Sequence, residues 1–193
     1  MDFRLRQGSV RAWPELPAAM SNLPRIIVAT TADTLHRGLL LAGDLMVPCA
    51  LGRAGIRRRK REGDGATPRG AWRPVLVYYR ADRLPRPLTK LPTRALTPDD
   101  GWCDDPADRR YNRQVRLPFA GSHENLWRAD RLYDVIVVLD YNLAHPRRDA
   151  GSAIFLHIAG PGFPPTAGCI AVAPEAMRRL LVRMGPGTVI DVR

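Results

Sequence analysis

Short apolar runs broken by glycine and proline recur along the chain, and this pattern predicts many short strands and few helices. Arg25-Ile26-Ile27-Val28-Ala29-Thr30 is β-branched and reads as a strand. A second strand is expected from Leu35 to Leu41, a turn at Gly43-Asp44, and a third strand from Leu45 to Leu51, where Pro48 marks an edge or bulge. Trp72 to Tyr79 reads as a further strand. Tyr133 to Tyr141 is a near-continuous apolar run suited to a buried strand, Gly151 to Ile158 is another, and Thr188 to Val192 reads as the last. One helix is expected from Pro174 to Met184, with proline in its first turn, an early Glu175, late arginines and Gly185 beyond it. Its apolar positions Met177, Leu180, Leu181 and Met184 share one face.

Two stretches escape this pattern. Residues 1–24 mix charge with proline and read as an N-terminal extension ahead of a domain over 25–193. Residues 80–131 show little periodicity and carry prolines at 85, 87, 92, 98, 106 and 118. They are expected to form a long irregular insertion with short helical turns, placed beside a functional site. The fold class expected is mainly β: a β-sandwich or distorted barrel of short strands, with a C-terminal helix and that insertion.

A length of 193 residues suits one domain, and 45% hydrophobic content supports a core. Lysine and arginine number 30 against 19 acidic residues, a net charge of +11 carried almost wholly by arginine. Such a charge attracts anionic partners, a wall polymer or nucleic acid, or it simply keeps an arginine-rich surface soluble. The basic run Arg57-Arg58-Arg59-Lys60-Arg61 reads as a solvated turn or as a rim that attracts acidic groups. The three cysteines, Cys49, Cys103 and Cys169, do not make a complete disulfide framework. No segment is long and apolar enough to span a membrane, and the first residues lack the apolar core of a secretory signal.

The chemistry gathers around Cys169. It follows Gly168 in Thr166-Ala167-Gly168-Cys169-Ile170-Ala171-Val172, twelve residues after His157 in Ile154-Phe155-Leu156-His157-Ile158. An imidazole on a neighbouring strand takes a thiol's proton and produces a nucleophile, provided that ring and sulfur approach to roughly 3–4 Å. A glycine before the cysteine leaves room for a substrate carbonyl beside backbone N–H groups, the makings of an oxyanion hole. No carboxylate is near His157 in sequence, so a backbone carbonyl is the expected orienter of the ring. The bland alternatives are a core cysteine and a core histidine.

The stretch from His157 to Cys169 resembles the catalytic signature of YkuD-type L,D-transpeptidases. The segment Gly63-Asp64-Gly65-Ala66-Thr67-Pro68-Arg69-Gly70-Ala71-Trp72 is similar to that family's Gly…Thr-Pro-x-Gly-x-aromatic segment, and the resemblance runs from about residue 25 to 193. The chain departs from the family pattern in having Ala167 where a second histidine is common, and Ala171 and Val172 where arginine or asparagine often follows the cysteine. The resemblance implies a cysteine-dependent L,D-transpeptidase acting on peptidoglycan stem peptides through a thioester, in the periplasm or cell envelope. With water as acceptor it would be an L,D-carboxypeptidase. It implies no cofactor and gives no reason to expect nucleic acid as partner. The rival of another class is a silent basic binding module.

Further candidates lie nearby. Thr166 belongs to the cysteine motif, and His123 is either an exposed loop residue or a second wall replacing the histidine missing at Ala167. Asp104 and Asp105 are expected to hold Arg109 and Arg110 in a structural network, or Asp105 and Arg109 to contact the amine or carboxylate of a stem peptide. Cys103, His123, His157 and Cys169 lack the closely spaced ligand pair of a zinc site, so no metal is expected.

Overall fold

The apolar runs assemble into one large mixed sheet in the computed structural model, which describes residues 22–193. Most of the expected N-terminal extension over 1–24 lies outside the described residues. Strands β1 (Arg25–Thr30), β2 (Arg37–Ala42) and β3 (Leu45–Ala50) form an antiparallel meander. The two-residue strands β4 (Ile56–Arg57) and β5 (Thr67–Pro68) pair in parallel, and β6 (Gly70–Trp72), β7 (Pro74–Tyr79) and β8 (Thr93–Ala95) follow. Strands β9 (Asp100–Cys103), β10 (Arg113–Arg116) and β11 (His123–Asn125) form a separate antiparallel sheet in the order β10-β9-β11. After them come β12 (Val135–Leu139), β13 (Phe155–Ile158), β14 (Ile170–Val172), the helix α1 (Pro174–Arg183) and β15 (Val189–Val192).

The main sheet has ten strands in the order β6-β15-β1-β2-β3-β14-β13-β12-β7-β8. It curls into a half-barrel, which bears out the mainly-β class with one C-terminal helix. The β12 sequence explains its central place. Val135, Val137 and Leu139 join one apolar cluster while Ile136 and Val138 join another, so both faces of the strand are buried. The first cluster contains the apolar face of α1, with Ala176, Met177, Leu180 and Leu181 packed against Leu156, Ile158 and Val172 of the sheet. The second contains Trp102 and Leu126 from the small sheet and its flank, packed against Tyr78, Phe155 and Cys169.

The stretch 80–131 is mostly irregular, with a helical turn where Leu84 N donates to Arg80 O at 2.9 Å, but it also carries short strands. It supplies β8 to the main sheet and all three strands of the small one, with no helix. Its strands are only three or four residues long, too short to show a period among prolines and charges. The buried Asp100 anchors them: its carboxylate accepts hydrogen bonds from Thr97 N at 2.8 Å, Gln114 Nε2 at 2.6 Å and the Arg94 guanidinium. Each acceptor site is used, so the charge is tolerated in the interior. The resulting small sheet covers the main-sheet face that carries Phe155 and Cys169.

Candidate active site

Parallel pairing of β13 with β14 sets the geometry. Leu156 lies opposite Ile170 and His157 opposite Ala171. Side chains alternate across a strand, so Phe155, His157, Cys169 and Ala171 point to one face, and Leu156, Ile158, Ile170 and Val172 to the other. His157 and Cys169 consequently share a face on adjoining chain segments, two residues apart in register.

Cys169 is held almost wholly by backbone. Its Sγ donates to the Ala153 carbonyl at 3.2 Å and accepts from Phe155 N–H at 3.4 Å. Ala153 has a left-handed backbone, φ 52°, uncommon for a residue with a Cβ. It is kept there by Asn112, whose Oδ1 accepts from Ala153 N at 3.1 Å and from Trp102 Nε1 at 2.9 Å. The same amide donates to the carbonyls of Tyr141 at 3.1 Å and Asn142 at 2.8 Å. The carbonyl of Cys169 is fixed by Thr166 Oγ1 at 2.7 Å, and Thr166 Oγ1 also accepts from Gly168 N at 3.1 Å.

Gly168 joins the two sequence motifs. Its φ is 141°, and a Cβ there would lie 2.8 Å from the Ala66 carbonyl. No side chain fits without displacing the backbone ahead of Thr67-Pro68. The neighbouring Thr67 Oγ1 accepts from Gly52 N at 2.8 Å and reaches the Cys169 carbonyl at 3.4 Å. The Thr-Pro segment and the Gly-Cys segment are thus packed backbone to backbone, and Gly168's N–H is already engaged by Thr166.

The expected thiol–imidazole hydrogen bond is not formed in this state. The sulfur's partners are Ala153 and Phe155, and the ring is fixed separately. His157 Nδ1 lies 2.9 Å from the Ile158 carbonyl, the backbone orienter that the sequence suggested. A carbonyl only accepts, so the proton sits on Nδ1 and the lone pair of the neutral ring on Nε2. Tyr133 packs edge-on against the ring, with centroids 5.3 Å apart. Burial pushes the His157 pKa down to about 4. Burial likewise pushes the Cys169 thiol up to about 12. Each group is only 5–7% exposed, and the resting pair is neutral thiol plus neutral imidazole.

Both groups nevertheless line one cavity of about 350 Å³, together with Gly160, Pro164, Pro165, Thr166 and Ala171. Its charged lining is mixed: Arg53, Lys60 and Arg128 against Glu62, Asp104 and Glu124. Lys60 Nζ pairs with Asp64 Oδ1 at 2.6 Å. Glu62 Oε2 accepts from Ser152 Oγ at 2.8 Å and from the Tyr111 hydroxyl. Burial raises the Glu124 pKa, opposed by hydrogen bonding to Tyr133 and by Arg128. Asp104 Oδ1 is buried without a hydrogen-bond partner among the described residues.

Cys169, His157 and Thr166 are therefore brought together, with Gly168 beneath them. His123, Asp105 and Arg109 do not line this cavity. His123 Nδ1 donates to the Gly121 carbonyl at 2.9 Å, and its ring packs edge-on against Phe119. Asp105 Oδ1 caps Ala107 N at 2.9 Å, and Arg109 lies on a separate shallow surface with Ala107, Asp108 and Arg110. The expected network of Asp104 and Asp105 with Arg109 and Arg110 is replaced by an Asp108–Arg110 pair, two bonds of 2.9 Å. Glu124, one residue beyond His123, is the side chain that β11 sends to the cavity. Strand alternation would have found it, had three residues been enough to show a phase. Asn112, Ala153 and Tyr133 carry no motif and were missed. Cys49, Cys103 and Cys169 are all buried free thiols.

Comparison with known proteins adds one finding. The family model described as YkuD, L,D-transpeptidase catalytic domain, matches residues 24–192. No curated protein matches the chain.

Proposed function

Since the chain belongs to the YkuD family of L,D-transpeptidase catalytic domains, we propose that it forms a thioester through Cys169 with a peptidoglycan stem peptide in the cell envelope. The observation that carries this reading is the shared face: Cys169 and His157 stand on adjoining segments and open into the same cavity.

In the first step Sγ attacks the carbonyl carbon at the third residue of a tetrapeptide stem, and the thiol proton passes to His157 Nε2. The C–N bond then breaks, the proton goes to the leaving amine, and the terminal D-amino acid departs. In the second step an amine of a neighbouring stem attacks the thioester and loses its proton to His157. The C–S bond breaks, and sulfur recovers the proton. Water in place of the amine gives the carboxypeptidase outcome.

The ring is neutral at rest, so its Nε2 lone pair is free, but the burial that keeps it neutral also makes it a weak base, and substrate binding must raise its proton affinity for the transfer. The neutral resting thiol means that proton transfer accompanies attack and does not precede it. For this transfer the sulfur must leave the Ala153 carbonyl and turn toward the ring. Gly168's N–H is engaged by Thr166, so the oxyanion contact falls to another backbone N–H. The mixed charges of the lining suit a substrate carrying both carboxylates and an ammonium group.

Incubation with a tetrapeptide stem, followed by intact-mass analysis and assay of released D-amino acid, tests the proposal. The native protein is expected to gain the acyl mass, or a carbapenem adduct in its place, whereas Cys169→Ser gains neither. Absence of both adduct and release from the native protein sinks the enzymatic reading.

A further inference from the structure

A second concave surface lies beside the catalytic cavity. It is lined by Arg58, Arg59, Arg61, Arg69, Arg147 and Arg148, with Lys60 common to both sites. One carboxylate, Asp149, is in the lining. Among the described residues none of these six guanidiniums makes an ion pair, and all six residues are exposed. Lys60 is the exception, being spent on Asp64 at 2.6 Å.

The arginines come from segments far apart in sequence: the basic run ahead of β5, the residue between β5 and β6, and the loop between β12 and β13. The fold brings them together on purpose-built ties. Glu62 N donates to the Asp149 carbonyl at 3.1 Å, and Ser152 Oγ and Tyr111 both donate to Glu62. Asn142 braces the loop from within, its Oδ1 accepting from Arg147 N at 2.8 Å and its Nδ2 donating to Gly151 O at 2.9 Å. Facing like charges repel, and Asp149 is the single lining carboxylate set against six guanidiniums. The arrangement therefore gains stability whenever an external polyanion fills the groove.

The geometry points to a phosphate-binding groove for a linear, phosphate-bearing envelope polymer running past the catalytic cavity. The guanidinium fork matches phosphate with two parallel hydrogen bonds, and repeated forks match repeated phosphates. The groove's two aromatic residues, Trp72 and Tyr141, are tied into the fold. Trp72 Nε1 donates to Pro68 O at 3.0 Å, the Tyr141 hydroxyl donates to Ala150 O, and the two rings pack edge to face at 4.8 Å. Their polar atoms are committed within the fold and offer base edges no free donor, and stacking on the ring faces is what the DNA arm below tests. The choice of an envelope polymer rests on the functional reading above; the groove itself does not.

The test uses short-chain inorganic polyphosphate as probe, with orthophosphate, single-stranded DNA of matched charge and anionic phospholipid vesicles as separate arms. Polyphosphate is expected to bind the native protein and Cys169→Ser equally. Its log affinity should fall linearly with log salt. Arg58→Gln/Arg147→Gln should lower that salt slope by about one per arginine removed. Arg86→Gln/Arg131→Gln, equal in charge change but elsewhere on the surface, should leave it near the native value. Carbapenem acylation of Cys169 in the groove variant separates the two claims: lost binding with intact acylation supports a distinct groove. No polyphosphate binding, equal effects of the two double variants, or tighter binding of DNA or vesicles overturns the proposal.

Discussion

The Ala153 carbonyl receives the Cys169 thiol at 3.2 Å from a backbone held at φ 52°. A residue with no functional side chain thus parks the candidate nucleophile, and Asn112 parks the residue. The candidate site is a chain of positioning in which the sulfur is the last link and the buried amide the first. Four outcomes follow from it.

Alkylation of Cys169 by iodoacetamide, read by peptide mapping, should be slow at pH 7. A thiol pushed up to about 12 by burial gains thiolate with every step in pH. The rate should climb about tenfold per pH unit from 7 to 10 without levelling. A plateau near neutrality would mean a preformed thiolate–imidazolium pair, contrary to the resting state described.

His157 should make stability depend on acid. Unfolded, the ring takes a proton near pH 6.5; folded, it does so near 4. Between those values the unfolded chain binds more protons, so stability rises with pH. The contribution is whole above 6.5 and is lost as pH falls toward 4, amounting to at most about 3 kcal/mol. Urea midpoints at pH 7 and pH 4.5 should converge in His157→Gln relative to the native protein. An unchanged pH dependence would contradict a buried neutral ring.

Gly168→Ala should cost about 1–3 kcal/mol, because a Cβ is forced onto the Ala66 carbonyl in a backbone region that alanine avoids. The same change should abolish Cys169 acylation even at temperatures where the variant stays folded. Thermal melts and intact mass together check this, and a stable, fully acylated variant would contradict it.

Asn112→Ala removes the acceptor for Trp102 Nε1 and Ala153 N at once. Two buried donors are orphaned, for a loss of roughly 3 kcal/mol. Asn112→Asp restores the acceptors but not the donations to Tyr141 and Asn142, and should fall between the two. Hydrogen exchange at Ala153, faster in the alanine variant than in the aspartate one, would report the freed backbone directly.

The strands and the helix were legible because their burial is local in origin. β12 is apolar on both faces, and α1 begins at Pro174 and ends at Arg183 as its own sequence dictates. The two motifs were legible too, since Gly168 and Thr67-Pro68 record a steric contact that few residue types satisfy. What was hidden depends on distant partners. Asn112 and Ala153 matter only because the chain brings residues 41 apart within hydrogen-bonding distance. Lys60 sits in a basic run that reads as solvated, yet its side chain is 3% exposed and pairs with Asp64. The small sheet has strands too short to reveal a period, so the Glu124 phase was lost along with it.

The sulfur's seclusion also bears on how long it survives. Peroxide and disulfide exchange act on thiolates that they reach, and Cys169 at rest carries no charge and is only 7% exposed. If Cys169 is the nucleophile proposed, it should resist oxidation at rest and be exposed to it chiefly while a bound ligand draws the sulfur from its backbone partners.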